Sequence, residues 1–435
     1  VPDNSQFSGI RSYFNIARVS RDIFRQSSLG ALYTDWECPT TGEFNRIGGV
    51  DTHLKFNRNW TLDGQAVATS SNLNLNCEAN LYPFSSGNRG NGNYYAGPGE
   101  KAELRRDGLH FSYDGIYSDL SPGFVSLPGF INRVDIRESR QQLDYRFRPK
   151  HGWVVDWGPS VTTRHDFDHT GLRLDTDYIP YLAIQGRAQT VIFLRPYEEM
   201  RERLRPQDFC FYGYSCPPAS LANQDYHEHT SGASAQTGYF KKATLAASYY
   251  WGQGVNFVAS PANPSPYGHP FLAHQDNAAA SLIIRPMQPL KIENTYLFER
   301  LYTNGNTYLF EQAQLPGARR GILNDHILRS KWNWQFTPQL SARVILQYNT
   351  LLAGTPVVGS SYGSSPYTYL PTQKQFNADF LVTYLVHPGT AIYVGYNSDL
   401  QNLDVVPHIG VFNTAKGYIN DSRQLFVKVS YLFRF

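Results

Sequence analysis

The chain closes on QLFVKVSYLFRF, residues 424–435, and the reading of this stretch decides the fold. Side chains of a strand alternate between two faces. Leu425, Val427, Val429, Tyr431, Phe433 and Phe435 therefore share one face; Phe426, Lys428, Ser430, Leu432 and Arg434 share the other. Chain ends are usually polar and frayed. A strand that stays apolar on one face to its last residue needs something to cover that face. Two coverings are open: the second sheet of a soluble sandwich, or the lipid around a membrane barrel.

The composition narrows the choice. The chain has 435 residues and a formal net charge of +3, so nothing points to nucleic acid or to an acidic partner. Aromatic residues make up 14%, and 30 of them are Tyr. Tyr and Trp suit a membrane–water interface, where one end of the ring system is apolar and the other wet. Mean hydropathy is −0.42, and no apolar run approaches the roughly 18 residues of a transmembrane helix. A membrane barrel remains open, because its hydrophobicity is spread over every second residue.

Period-two alternation recurs along the chain. Leu340, Ala342, Val344, Leu346 and Tyr348 oppose Ser341, Arg343, Gln347 and Asn349. Leu328, Trp332, Trp334 and Phe336 oppose Arg329, Lys331, Asn333 and Gln335. Phe376, Ala378, Phe380, Val382, Tyr384 and Val386 oppose Asn377, Asp379 and Thr383, and Val50, Leu54 and Phe56 oppose Asp51, His53 and Lys55. Short turns are expected near 24–26, 57–59, 105–108, 149–152, 186–187, 239–241, 286–289, 337–339 and 388–389. Between them fall long polar loops at 38–43, 71–97, 118–129, 164–170, 201–226, 260–274, 304–321, 354–374 and 401–421. Short turns on one side and long loops on the other are the pattern of an outer-membrane barrel.

The expected fold is all-β: one transmembrane antiparallel barrel over residues 1–435, of roughly 18–22 strands, each long enough to cross a bilayer at a tilt. Leu340, Val344, Leu346, Trp332, Phe380, Val382, Leu425 and Val429 form the expected lipid face. With the short turns periplasmic, the first strand, near 12–21, runs inward and Val1 starts outside. That direction predicts further strands upstream. In the strand around residues 134–147 the apolar parity changes, from Val134 and Ile136 to Leu143, Tyr145 and Phe147. Either a bulge or an upper half standing above the membrane accounts for it.

Four cysteines fit two disulfides in an oxidising compartment, or four buried thiols. Cys210 and Cys216 lie in one loop, and Cys38 and Cys77 in consecutive loops on one side, which predicts the pairs 38–77 and 210–216. Arg133, Arg137 and Arg140, interleaved with carboxylates, and Arg329, Lys331 and Arg343 are the candidate lumen charges. The cluster His165, Asp166, Asp168 and His169 offers metal-ligand types but no full ligand spacing, and His227 with His229 is a two-ligand pair at most. A solvated polar loop explains the first, and alternating polar residues at a barrel mouth explain the second equally well. Glu198 and Glu199 are adjacent and point to opposite faces, which suits paired acid–base work poorly. No nucleophile elbow or phosphate loop is present. No catalytic residue, metal or cofactor is expected.

The ending itself resembles the closing strand of outer-membrane barrels, which carries a terminal Phe with aromatic residues two and four before it. By that resemblance Tyr431, Phe433 and Phe435 form the signal read by the barrel-assembly machinery. RVSRDIFRQSSLGALYTD (18–35), ELRRDGLHFSYDGIYSDLSPGF (103–124), INRVDIRE (131–138) and WGPS (157–160) resemble a family of outer-membrane barrels of unknown function that follow a carbohydrate-binding module of family 9 type. The similarity runs from about Ile10 to Phe435 and is strongest over the first 160 residues. It implies the outer membrane of a Gram-negative-type bacterium. It also implies an upstream sugar module that the given sequence lacks, and it assigns no catalytic residue. The expected function is a pore or gated conduit for carbohydrate-derived or other small polar solutes. The alternative is a non-transporting scaffold that binds glycan or a partner through its loops, and third comes a barrel-embedded hydrolase. Expected partners are outer-membrane lipid and the assembly machinery, with oligosaccharide and other membrane subunits as further candidates.

Overall fold

The computed structural model describes residues 11–73, 94–127, 129, 131, 133–205, 208, 223–256, 271–302, 321–353, 372–387, 389–406, 410–413 and 417–431. Phe433, Phe435, Cys77, Cys210 and Cys216 lie outside these residues, as do most of the long loops. Two units divide the chain. One is Val1–Phe147 with Gly158–Tyr181 and Glu198–His227; the other is Arg148–Trp157 with Leu182–Tyr197 and Glu228–Phe435.

The first unit is built on β1 (Tyr13–Ile23), β2 (Ser27–Cys38), β3 (Glu43–Lys55), β4 (Trp60–Asn72), β5 (Tyr94–Asp107), β6 (Phe111–Leu120) and β7 (Ile136–Tyr145), with parts of β8 (Val154–Phe167), β9 (Arg173–Gly186) and β10 (Thr190–Leu204). Each strand from β1 to β7 pairs antiparallel with the next, and β7 pairs with β8. The second unit holds most of β11 (Gln224–Phe240), then β12 (Ala243–Asn256), β13 (Phe271–Met287), β14 (Leu290–Tyr302), β15 (Gly321–Gln335), β16 (Leu340–Ala353), β17 (Gln373–His387), β18 (Thr390–Gln401) and β21 (Ile419–Tyr431). These also pair antiparallel in chain order. A small ribbon, β19 (Leu403–Val406) with β20 (Gly410–Asn413), rises between β18 and β21. Nineteen long strands result among the described residues, inside the expected range.

The registers align the two faces from strand to strand. Trp332 lies opposite Val344, Val344 opposite Phe380, Phe380 opposite Tyr396, and Tyr396 opposite Leu425. Two turn-ward steps give Leu340, Tyr384, Ile392 and Val429 in another row. All eight residues expected to face lipid fall on this one face. Leu425 is 73% exposed in the isolated chain. An apolar face of this extent exceeds what a monomer leaves to water, and burial in lipid is worth about 25 cal/mol per Å² of it. The opposite face carries Lys331, Ile345, Asp379, Asn397 and Gln424 in one row.

Residues 24–26, 187–189, 241–242 and 288–289 make tight connections on one side. Phe24, Ala188 and Gln189 take left-handed backbone there, the strain of a very short reversal. Two connections on the other side are short as well, which corrects the expectation of long loops at 38–43 and 164–170. β2 and β3 are joined by residues 39–42, where Gly42 has φ +72° and its N–H donates to the Cys38 carbonyl at 3.0 Å. β8 runs on to Phe167, and Asp168–Leu172 is one closed turn, with the Gly171 N–H donating to the Asp168 carbonyl at 3.1 Å. In the weakly alternating stretch 171–203 two full strands form, β9 and β10.

No bulge resets β7. Its ladder is unbroken from Ile136 opposite Leu120 to Tyr145 opposite Phe111. Val134 precedes the strand and lies in a segment of another kind, residues 121–135.

Candidate functional site

The described residues that follow β6, 121–127, 129, 131 and 133–135, fold onto the polar face of the first unit. Their first anchor is a seat on β2 to β5. Asn45 donates to the Val125 carbonyl at 3.0 Å and to Ser71 Oγ at 2.6 Å, and its Oδ1 accepts the Leu127 N–H at 3.0 Å. Thr69 Oγ1 accepts the Val125 N–H at 3.3 Å. Val125 packs with Trp36, Cys38 and Leu73, and Tyr95 and Leu127 close the cluster. On β5 the seat is cut by glycine: a Cβ on Gly99 would stand 2.7 Å from the Phe124 ring, and one on Gly97 would collide with Ser121. Both positions share the polar parity of Thr69 and Val67, opposite which they sit. Phe124 and Val125 are consequently buried beneath their own segment.

The second anchor is a charged cluster beside β9 and β10. Arg205, 2% exposed, donates to Asp135 Oδ2 at 2.6 Å and to Asp208 Oδ1 at 3.1 Å, and stands 3.6 Å from Asp168 Oδ2. Arg133 donates to Asp175 Oδ2 at 3.1 Å, to Asp208 Oδ2 at 2.7 Å and to the Arg203 carbonyl at 3.0 Å. His169 places one ring nitrogen 2.9 Å from Asp119 and the other 2.9 Å from Asp135. Buried charges persist only when paired and hydrogen-bonded, and both arginines meet that condition. Burial disfavours the charged Arg205, yet Asp208, Asp135 and Asp168 raise its pKa above the usual value. Burial also opposes ionisation of Asp168, but the Thr170 hydroxyl, the Leu172 and Thr170 N–H groups and Arg205 outweigh it and hold the carboxyl below its ordinary range.

The candidate lumen residues separate. Arg133 is not on a strand; it belongs to the inward segment, which corrects its expected place beside Arg137 and Arg140. Arg137 has the parity of Leu143 and Tyr145, the exposed apolar pair of β7, and donates to the Asp168 carbonyl at 2.7 Å. That also departs from the expectation. Arg140 lies on the opposite, polar parity, across from Ile116. Arg329, Lys331 and Arg343 share the polar face of β15 and β16, where Lys331 is 3.3 Å from Glu293 and Arg343 lies opposite Asn333. Asn397 donates to Asp379, and Gln375 to Asp399 at 3.0 Å, along the same face.

The four residues at 165–169 do not converge. His165 meets Tyr178 at 3.0 Å, Asp166 is buried on the opposite face, Asp168 closes its own turn and His169 bridges two carboxylates. His229 stacks on Tyr197 and lies 2.7 Å from its hydroxyl. Among the described residues no group of three metal-ligating side chains forms. Cys38 is fully buried and disulfide-bonded; the expected pairs 38–77 and 210–216 involve residues outside those described. The aromatic ending, Phe433 and Phe435, lies outside them too, and Tyr431 shares the Leu425 face. A depression of about 560 Å³ over Ala247, Ala280, Leu282, Tyr296 and Leu328 is on the apolar face and is no polar site.

The inward segment and its seat were missed in the sequence, where 118–129 reads as an outer loop. Two signals mark it. SPGFVSLPGF is unusually apolar for a solvated loop, and GPG at 97–99 removes both side chains from one face of a strand.

No protein-family model matches the chain, and no curated protein matches it. Solved structures do. The siderophore receptor PirA from Pseudomonas aeruginosa is similar with a TM-score of 0.50 at 9% identity, over 97% of this chain and 76% of that one. The FrpB iron transporter from Neisseria meningitidis gives 0.47 at 12%, over 98% and 69%. OmpT of Vibrio cholerae, an outer membrane protein, gives 0.34 at 9%, over 97% and 99%. The likeness to PirA, at a TM-score of 0.50, shows the fold, that of a transmembrane antiparallel β-barrel, in which an apolar strand face meets lipid.

Proposed function

We propose that the chain forms an outer-membrane conduit for small polar solutes, with carbohydrate-derived solutes as the first class to test. One observation carries the reading: the polar face of β14 to β18 is lined by charged and amide side chains that hydrogen-bond along the sheet, such as Lys331 with Glu293 and Asn397 with Asp379. An interior packed solid would favour apolar layers; a hydrated passage favours this lining. The fold shared with a siderophore receptor supports solute passage in general. The carbohydrate class rests on the sequence resemblance alone, and no step of the reading needs a catalytic residue. Lipid surrounds the apolar face, and the assembly machinery reads the aromatic ending.

The inward segment favours a second reading, a scaffold whose interior is filled and whose outer loops bind glycan. Purified protein in planar bilayers separates the two. Steady single-channel current in potassium chloride, reduced by added oligosaccharide, is the expected result. Silence from protein shown to be folded would turn the assignment to the scaffold.

A further inference from the structure

We infer that residues 121–135 are the size-setting constriction of this conduit, a fixed bar held at both ends that selects by width and not by charge; this rests on the conduit reading. The segment starts at the end of β6 and ends at the start of β7, strands that are immediate neighbours. A connection between neighbours needs only a few residues. This one instead reaches back to Asn45 on β3, then forward to Asp175 on β9 and to the Arg203 carbonyl on β10, before returning to β7. Everything it touches on β3 and β4 is on the polar parity, so it lies on the interior side.

Both ends are built to hold it there. The Phe124 ring occupies the space left by Gly99, the Ser121 hydroxyl that left by Gly97, and Gly123 is pressed against the Ala96 carbonyl. Any side chain on β5 at those positions would lift the segment. At the other end Arg205 ties Asp135 to Asp208 and Asp168, and Arg133 ties the segment to Asp175 and Asp208. A bar anchored by buried packing at one end and by buried ion pairs at the other is a fixed element. Its own charges, Arg133 and Asp135, are already spent on these partners. It therefore narrows the passage without adding a net charge to it, and the solutes it sorts are hydrophilic molecules graded by size.

The test uses the full chain and three variants: Gly99→Leu, which unseats Phe124; Arg205→Ala, which frees the charged end; and replacement of residues 122–134 by a Gly-Ser linker. Folding is checked by heat-modifiable mobility in gels, and the single substitutions keep the test alive if the replacement does not fold. The readouts are single-channel conductance, the swelling rate of liposomes in neutral sugars of rising size, and the reversal potential in a salt gradient. The expected result is a conductance rise of about twofold or more in the variants, with larger sugars admitted and, in Gly99→Leu, which alters no charge, the reversal potential unchanged. A silent native chain with conducting variants would overturn the size-setting role, because a segment that stops all current fills the interior and sorts nothing. Native and variant channels of equal conductance and cut-off would place the narrowing elsewhere and overturn the inference, leaving the conduit intact. A shifted reversal potential in Gly99→Leu would overturn selection by width alone. If neither the native chain nor any folded variant conducts, the conduit reading fails, and the inference with it.

Discussion

Asp168 shows how one residue closes an outer turn. Its Oδ1 accepts the Thr170 N–H at 2.9 Å, the Thr170 hydroxyl at 2.6 Å and the Leu172 N–H at 2.9 Å. These bonds favour the carboxylate, so its pKa is lowered in the fold. A lowered carboxyl pKa means stability present above the unfolded value of about 3.9 and lost as pH falls through the folded value. Asp168→Asn should therefore melt below the native chain at neutral pH, and the gap should close as pH drops below about 3.9; melting curves of both proteins across that range check it. Gly30 is a second case. On β2 it lies opposite Ser20 and Asp51, and a Cβ there would stand 2.6 Å from Asp51 Oδ2. Asp51 cannot yield freely, because Arg18 holds its Oδ1 at 2.7 Å across the glycine. Gly30→Val should cost about 1–3 kcal/mol by overpacking, read as a lower urea midpoint, and the added substitution Asp51→Ala should recover most of that loss.

Among elements, β16 is the clearest two-faced strand. Leu346 lies between Ser330 of β15 and Ala378 of β17, on the face of Val344 and Phe380. A lysine at Leu346 would place an ammonium in the lipid layer at a cost of about 2–4 kcal/mol if near the midplane. Reduced refolding into bilayers is expected, whereas a lysine at Gln347, on the other face, should leave refolding nearly unchanged. β7 makes the converse point. Its parity change shrinks to Ile136, the first residue of the strand, opposite Leu120, once Val134 is assigned to the inward segment, because an apolar residue in a connection obeys no strand period.

For the whole molecule, the disulfides test whether the outer connections keep their neighbours. Cys38 ends β2, fully buried against Trp36, Leu73 and Val125. Its pairing with Cys77 would tie the β2–β3 turn to the connection after β4, beside the seat of the inward segment. Peptide mapping without reduction should return 38–77 and 210–216. A crossed pair would show that distant connections meet over the interior.

Period-two patterning alone determined that the chain is all-β, that its strands are two-faced and which residues share the apolar face, because side-chain alternation is a local property of the backbone. That Trp332, Val344, Phe380 and Leu425 belong to the apolar face was legible before any register was known; that they form one row was not. Tertiary structure alone decided where the connections go. Whether Phe124 faces water or sits on Gly97 and Gly99, and whether Arg133 extends β7 or clasps Asp175 and Asp208, depends on strands far away in sequence. A loop carries no period from which its direction could be read. The short outer turns at 39–42 and 168–172 were hidden for the same reason. Polar composition suits a long solvated loop and a tight side-chain-closed turn equally, and only the hydrogen bonds to Cys38 and Asp168 tell them apart.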